Sequence, residues 1–174
     1  MKTILTIIAA LALTPFNLMA ENTPAVGAEA PPVQLTSNDG KPVDLKEYKG
    51  KWVVLYFYPK DFTGGCTLEA QNFQRDLAQF EKENAVVLGV SVDDAKSHAG
   101  FCAKEGLHFK LLADVGGKVA TEYGSVMDYQ GTKMAQRNTF LINPAGKIAK
   151  VYTGVEPATH TGEVLADLAQ LQKK

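Results

Sequence analysis

Two cysteines in 174 residues are too few to staple a small fold, so a disulfide-rich scaffold is excluded. No block or stripe of lysine and arginine interrupts a chain that carries 18 basic against 19 acidic side chains, and no electrostatic grip on nucleic acid is expected. Beyond the extreme N-terminus there is no apolar run of the roughly 20 residues that a membrane-spanning helix needs. No glycine-rich phosphate loop follows a strand, so no nucleotide cofactor is expected. His98, His108 and His160 lack metal-ligand spacing toward one another or toward a cysteine; they read as surface residues, with no metal site. Internal repeats and low-complexity segments are absent as well.

The first twenty residues have a layout of their own. Lys2 gives a positive start, residues 4–13 are apolar except for Thr6, and a looser stretch leads to Ala20 and then polar Glu21. This is the pattern of a secretory signal peptide, with cleavage expected after Ala20; an uncleaved anchor or a buried N-terminal helix is the alternative reading. Residues 21–174 are then one domain, exported, with the bacterial periplasm as the expected location and no membrane insertion after cleavage. In an oxidising compartment two cysteines can persist as a disulfide.

Within that domain the apolar pattern alternates between strand and helix periods. Residues 33–35 and 43–45 flank the turn Asn38-Asp39-Gly40 and predict a hairpin. Residues 52–58 are an almost unbroken β-branched and aromatic run, as in a buried central strand ended by Pro59. Ala70, Phe73, Leu77 and Phe80 lie on one stripe of a helix running from about Cys66 to Glu83. Residues 85–92 predict a second buried strand. Asp93-Asp94 and Gly106 bracket a helix over 95–105. A strand over 109–112, a helix over 117–123, a hairpin of 139–142 with 148–152, and an amphipathic helix over 160–172 complete the order. Strands alternating with helices imply an α/β sandwich of thioredoxin type: a central mixed sheet flanked by helices, with an N-terminal β-hairpin.

In such sheets ligand chemistry sits beyond the carboxyl ends of the strands, and Cys66 lies there. A free thiol is mostly protonated at neutral pH, and the thiolate is the nucleophile. A helix start supplies unpaired N–H groups that favour negative charge. Thr63 suits the N-cap position, where its hydroxyl can reach the first turn or the sulfur. Pro59 fixes the strand exit and can shield the sulfur, while Gly64 and Gly65 leave the backbone N–H groups open. Position alone leaves a second reading equally open, because Cys66 also continues the apolar stripe four residues before Ala70 and suits a core cysteine.

The segment from Tyr58 through Glu69 resembles the active-site motif of the peroxiredoxins, Pro-x-x-x-Thr-x-x-Cys, matched by Pro59, Thr63 and Cys66. The resemblance is greatest to the bacterioferritin comigratory protein, or peroxiredoxin Q, group. It extends through Val90-Ser91-Val92-Asp93, Leu111-Leu112-Ala113-Asp114 and Arg137-Asn138-Thr139-Phe140-Leu141-Ile142. The resemblance implies a thiol-dependent peroxidase acting on hydrogen peroxide and organic hydroperoxides, with no cofactor. It makes Cys66 the peroxidatic cysteine, and Thr63, Gly65 and Arg137 the residues that hold the peroxide. Pro59 shields the pocket and Glu69 orients Arg137. Taken by itself, Arg137 reads as a surface arginine at a strand end.

Many members of that group carry a resolving cysteine five residues after the first, where this chain has Gln71. Others use a cysteine on the next helix, and Cys102 matches that variant. The resemblance thus implies an intramolecular Cys66–Cys102 disulfide, recycled by a thioredoxin-like or disulfide-relay reductant, in a monomer. Since a disulfide needs Cα atoms within about 7 Å, local unwinding of both helices on oxidation is expected. Gly100 weakens the Cys102 helix. Two other readings of Cys102 stay open: a core residue on a face with Ala95 and Ala99, or half of a structural disulfide. For the whole chain, the alternatives are a thiol–disulfide oxidoreductase, against which the lack of Cys-x-x-Cys counts, and a non-catalytic thioredoxin-fold module.

Overall fold

The computed structural model describes residues 23–173, so the signal-peptide expectation for residues 1–20 lies outside the described residues. Among the described residues, nine strands and four α-helices follow in chain order. They are β1 (Gln34–Ser37), β2 (Pro42–Asp44), β3 (Trp52–Phe57), α1 (Gly64–Lys82), β4 (Ala85–Ser91), α2 (Ala95–Glu105), β5 (Lys110–Ala113), α3 (Lys118–Glu122), β6 (Val126–Tyr129), β7 (Thr132–Ala135), β8 (Thr139–Ile142), β9 (Ile148–Tyr152) and α4 (His160–Leu171). Seven strands form one mixed sheet in the order β2-β1-β5-β4-β3-β8-β9. Strand β4 runs parallel to β3 and β5; β8 pairs antiparallel with β3 and with β9. The expected thioredoxin-like α/β architecture is the observed one.

All six residues of β3 are buried, and they divide by parity. Trp52, Val54 and Tyr56 point to the side that holds Phe73 and Phe80 of α1, Phe101 of α2, and Val164 and Leu168 of α4. Val53, Leu55 and Phe57 point to the other side, against Val119 and Ala120 of α3, Tyr123 and Phe140. Burying each such side chain stabilises the fold by about 1.5–3 kcal/mol, so a polar substitution in β3 would damage one core or the other. Cys66 and Cys102 both belong to the first of these cores.

Boundaries depart from the sequence reading in explicable places. Leu45 leaves the second strand because Asp44 caps a 3₁₀ turn, Leu45–Tyr48, accepting from Lys46 N–H at 2.9 Å. The β6–β7 hairpin was not expected. Its strands are short and largely open to solvent, so they carry no apolar alternation. Its turn places Gln130 and Gly131 at positive φ, and glutamine is not one of the residues that announces that geometry. Helix α2 begins and ends as expected: the Asp94 carboxylate accepts from Ser97 N–H, and Gly106 closes it in the left-handed region.

Candidate active site

Strand β3 delivers the chain to a short loop that begins with half-buried Pro59 and turns into α1. Asp61 N–H donates to Asp93 Oδ2 at 2.9 Å, and Phe62 adopts φ +61°. Thr63 occupies the N-cap position, but its side chain does not cap the helix. Its hydroxyl donates back to the Lys60 carbonyl at 2.9 Å, which corrects the expectation that it would reach into the first turn. The first helical hydrogen bond runs from Thr67 N–H to Thr63 C=O at 2.8 Å. Among the described residues, the N–H groups of Gly64, Gly65 and Cys66 meet no acceptor, so three backbone donors converge around the start of α1.

Cys66 is only 1% exposed, and its sulfur is not simply a core atom. Arg137 Nη2 donates to Cys66 Sγ at 3.3 Å, while Arg137 Nη1 pairs with Glu69 Oε2. Sheet pairing makes this possible across 71 residues of chain. Tyr56 stands opposite Thr139, and Phe57 N–H donates to the Asn138 carbonyl at 2.7 Å, which sets Arg137 beside the end of β3. Val155 N–H holds the Arg137 carbonyl from the other side at 3.1 Å. Arg137 is therefore a largely buried side chain set against Cys66 and not a surface arginine.

Glu69 lies one turn beyond Cys66 and is fully buried. Burial pushes its carboxyl up to about 7, although the Arg137 guanidinium pulls the other way. Its second oxygen, Oε1, has no hydrogen-bond partner among the described residues. Burial alone would lower Arg137, but Glu69 and the Cys66 sulfur more than offset this and hold it above its ordinary value. Gly65 supports the arrangement by lacking a side chain: a Cβ there would stand 3.3 Å from Arg137 Nη2 and 3.8 Å from Pro157 Cγ. Sequence reasoning did not single out Pro157 or Val155, whose loop before α4 forms this wall.

Cys102 sits in the last turn of α2, 7% exposed, and both cysteines are free thiols. Burial, and after it the Asp61 carboxylate, pushes the Cys102 thiol up to about 11. The buried face of α2 is His98, Phe101 and Cys102, with Ala99 exposed, so the expected face of Ala95 and Ala99 is corrected. Two histidines depart from expectation as well. His98 is buried with its Nδ1 2.9 Å from Asp61 Oδ2, and His160 is buried with its Nε2 2.8 Å from Thr139 Oγ1; only His108 is at the surface. Each partner is distant in the chain, and no local signal announces it.

The AhpC/TSA family matches residues 26–151. Peroxiredoxin Bcp of Bacillus subtilis (strain 168) is 37% identical over 156 residues, covering 86% of this chain and 98% of that one. Among solved structures, Xylella fastidiosa PrxQ carrying a cysteine-to-serine mutation matches with a TM-score of 0.81 and 34% identity, over 86% of this chain and 98% of that one. Two structures of Xanthomonas campestris Peroxiredoxin Q each match with a TM-score of 0.75 and 36% identity, over 79% of this chain and 90% of theirs. Each carries a cysteine-to-serine mutation, at one or the other of two positions that lie 36 apart.

Proposed function

Because the chain belongs to the AhpC/TSA family and is a peroxiredoxin, an enzyme that reduces peroxides with a cysteine thiol, we propose that Cys66 is the sulfur that meets the peroxide. The observation that carries this reading is the 3.3 Å contact between Arg137 Nη2 and Cys66 Sγ at the open start of α1. A guanidinium and unpaired backbone N–H groups make the surroundings of one sulfur electropositive, which a thiolate nucleophile requires. The thiolate attacks one peroxide oxygen. An S–O bond forms, the O–O bond breaks, and the departing oxygen takes a proton to leave as water or alcohol. Arg137 and the Gly65 N–H donate to the oxygens as negative charge moves onto the leaving one. Thr63 commits its hydroxyl proton to Lys60, so its oxygen remains an acceptor for the peroxide O–H and aims the bound molecule. Pro59 keeps water from the sulfur, and Glu69 holds the guanidinium in place.

The sulfenic acid left on Cys66 is resolved by Cys102. Its sulfur attacks Cys66 Sγ, an S–S bond forms, the S–O bond breaks, and the oxygen leaves as water with the Cys102 proton. The two cysteines are 36 positions apart, the separation of the two mutated cysteines of the Xanthomonas protein. A thiol raised to about 11 by burial is a poor nucleophile. Unwinding of α2 therefore both brings Cys102 to Cys66 and frees it from that environment. A thioredoxin-like dithiol or a disulfide-relay protein then reduces the pair by exchange. A thiol–disulfide oxidoreductase would need a second cysteine where Glu69 stands.

The test is peroxide consumption by the unaltered protein, Cys66→Ser and Cys102→Ser. Cys66→Ser should be inert with any reductant. Cys102→Ser should turn over with dithiothreitol and stop with a thioredoxin-like donor. Consumption by Cys66→Ser would refute the assignment. The layout of residues 1–20 supports the further reading that the enzyme is exported to the periplasm, and the resemblance to the peroxiredoxin Q group supports a monomer. N-terminal sequencing of the cell-derived protein should begin at Glu21, and sedimentation should return the mass of one chain.

A further inference from the structure

The loop that precedes Cys66 grips the helix that carries Cys102 through two consecutive residues. Asp61 is 3% exposed, and its carboxylate accepts three side-chain hydrogen bonds. Tyr58 Oη donates to Oδ1 at 2.7 Å; Ser97 Oγ and His98 Nδ1 donate to Oδ2 at 2.7 and 2.9 Å. Ser97 and His98 belong to the first turn of α2. Phe62 then lies along the following turns. Its ring meets Phe101 edge-on with centroids 5.1 Å apart, Lys104 Nζ stands 5.5 Å from its centroid, and a Cβ on Gly100 would touch its Cζ at 3.7 Å. Phe62 reaches this position only by adopting φ +61°, a conformation unfavourable for a bulky side chain. The residue is nevertheless 48% exposed, so burial alone does not account for the placement. Its contacts are with α2, the helix whose unwinding the resolving role of Cys102 invokes.

We propose that Asp61 and Phe62 form a clasp on α2, and that its release sets the rate at which Cys102 resolves the Cys66 sulfenic acid. This rests on the reading of Cys102 as the resolving cysteine. Asp61, Phe62 and His98 are positioning residues; none touches the reacting atoms. While the clasp holds, α2 stays wound and the sulfenic acid waits. During that wait a second peroxide can add its oxygen to the sulfur, giving sulfinic acid and water or alcohol. The clasp therefore sets the balance between disulfide formation and irreversible oxidation.

The experiment follows the two steps separately in the full chain by rapid quench and mass spectrometry. The proteins are the unaltered enzyme, Phe62→Ala, Phe62→Tyr and His98→Asn. Sulfenic acid formation should change by no more than about twofold in any of them. Disulfide formation should be about tenfold faster in Phe62→Ala and His98→Asn, since each loses a contact that only the wound helix makes. The sulfinic fraction at high peroxide should fall in step. Phe62→Tyr keeps the ring on α2 and should match the unaltered enzyme, and amide exchange in Phe62→Ala should quicken over residues 95–105 without quickening in α4. Phe62 is half-exposed, so Phe62→Ala decides the matter even if His98→Asn does not fold. A disulfide forming at an unchanged rate in Phe62→Ala would overturn the clasp alone. Failure of the unaltered enzyme to form any Cys66–Cys102 disulfide would overturn the clasp together with the reading it rests on.

Discussion

A Cβ on Gly65 would stand 3.3 Å from Arg137 Nη2, the same distance at which that nitrogen meets Cys66 Sγ. Gly65 is not at positive φ, so alanine suits its backbone and, within a helix, is favoured by about 0.5–1 kcal/mol. The guanidinium, however, would have to yield by a few tenths of an ångström. Gly65→Ala is therefore expected to leave the melting temperature equal or higher while slowing the reaction with peroxide by about tenfold. Stopped-flow peroxide kinetics beside a thermal melt measures both. An unimpaired rate would show that the guanidinium position does not matter at this scale.

Removing the guanidinium itself should cost more. Arg137→Met keeps much of the volume but deletes both the donor to Cys66 Sγ and the partner of Glu69. Loss of one preorganised donor to developing negative charge slows comparable reactions by about 10²–10³-fold. Arg137→Lys should recover only part of this, because one ammonium cannot present a planar fork to a sulfur and a carboxylate together. The rate constant for peroxide with each variant decides. Full recovery by lysine would mean that charge alone is at work.

Local signals made some of this architecture legible and hid the rest. The caps Asp94 and Gly106 are short-range features, as is the turn Asn143-Pro144-Ala145-Gly146 that joins the hairpin of 139–142 with 148–152 and is closed by Gly146 N–H donating to the Asn143 carbonyl, and the elements beside them fell where expected. The thiol at a helix start was legible for the same reason. Arg137 was not, since only the pairing of β8 with β3 carries it to Cys66, and its role came from the resemblance. His98 and His160 were expected at the surface; burial of a histidine depends on a distant partner, here Asp61 and Thr139. Thr63 occupied its expected position, but only the folded loop shows that its hydroxyl turns to Lys60.

Two buried groups oppose each other in the pH dependence of stability. Burial lowers His160 from 6.5 to about 4. Between those values the folded chain binds fewer protons at this site than the unfolded chain, so stability rises with pH, by about 3 kcal/mol at most. Burial raises Glu69 from 4.5 to about 7, so the folded chain binds more protons there and stability falls as pH rises through that window. In the unaltered protein the two slopes partly cancel between pH 4.5 and 6.5. His160→Gln removes the rising component and should make the unfolding free energy decline more steeply with pH across this range. Urea unfolding at pH 4.5, 5.5 and 6.5 measures the slopes. An identical slope in variant and unaltered protein would show that His160 is not held neutral by the fold.

Tyr56 carries the largest polar question left in the core. Its hydroxyl is fully buried without a hydrogen-bond partner among the described residues, in a field shared by Glu69 and both cysteines. The end of its ring fills the space beside Gly89, where a Cβ would come within 2.7 Å of Cζ and 2.6 Å of Leu111 Cδ2. An unpaired buried hydroxyl costs about 1–3 kcal/mol, so Tyr56→Phe should stabilise the protein by an amount toward the lower end of that range. Gly89→Ala should destabilise it by about 1–3 kcal/mol, because neither the ring nor Leu111 has space to retreat. Chemical denaturation of the two variants measures both effects. A loss of stability in Tyr56→Phe would reveal that the hydroxyl does have a partner, and Glu69 Oε1, another buried atom without a hydrogen-bond partner among the described residues, would be the first place to look for a bridging water.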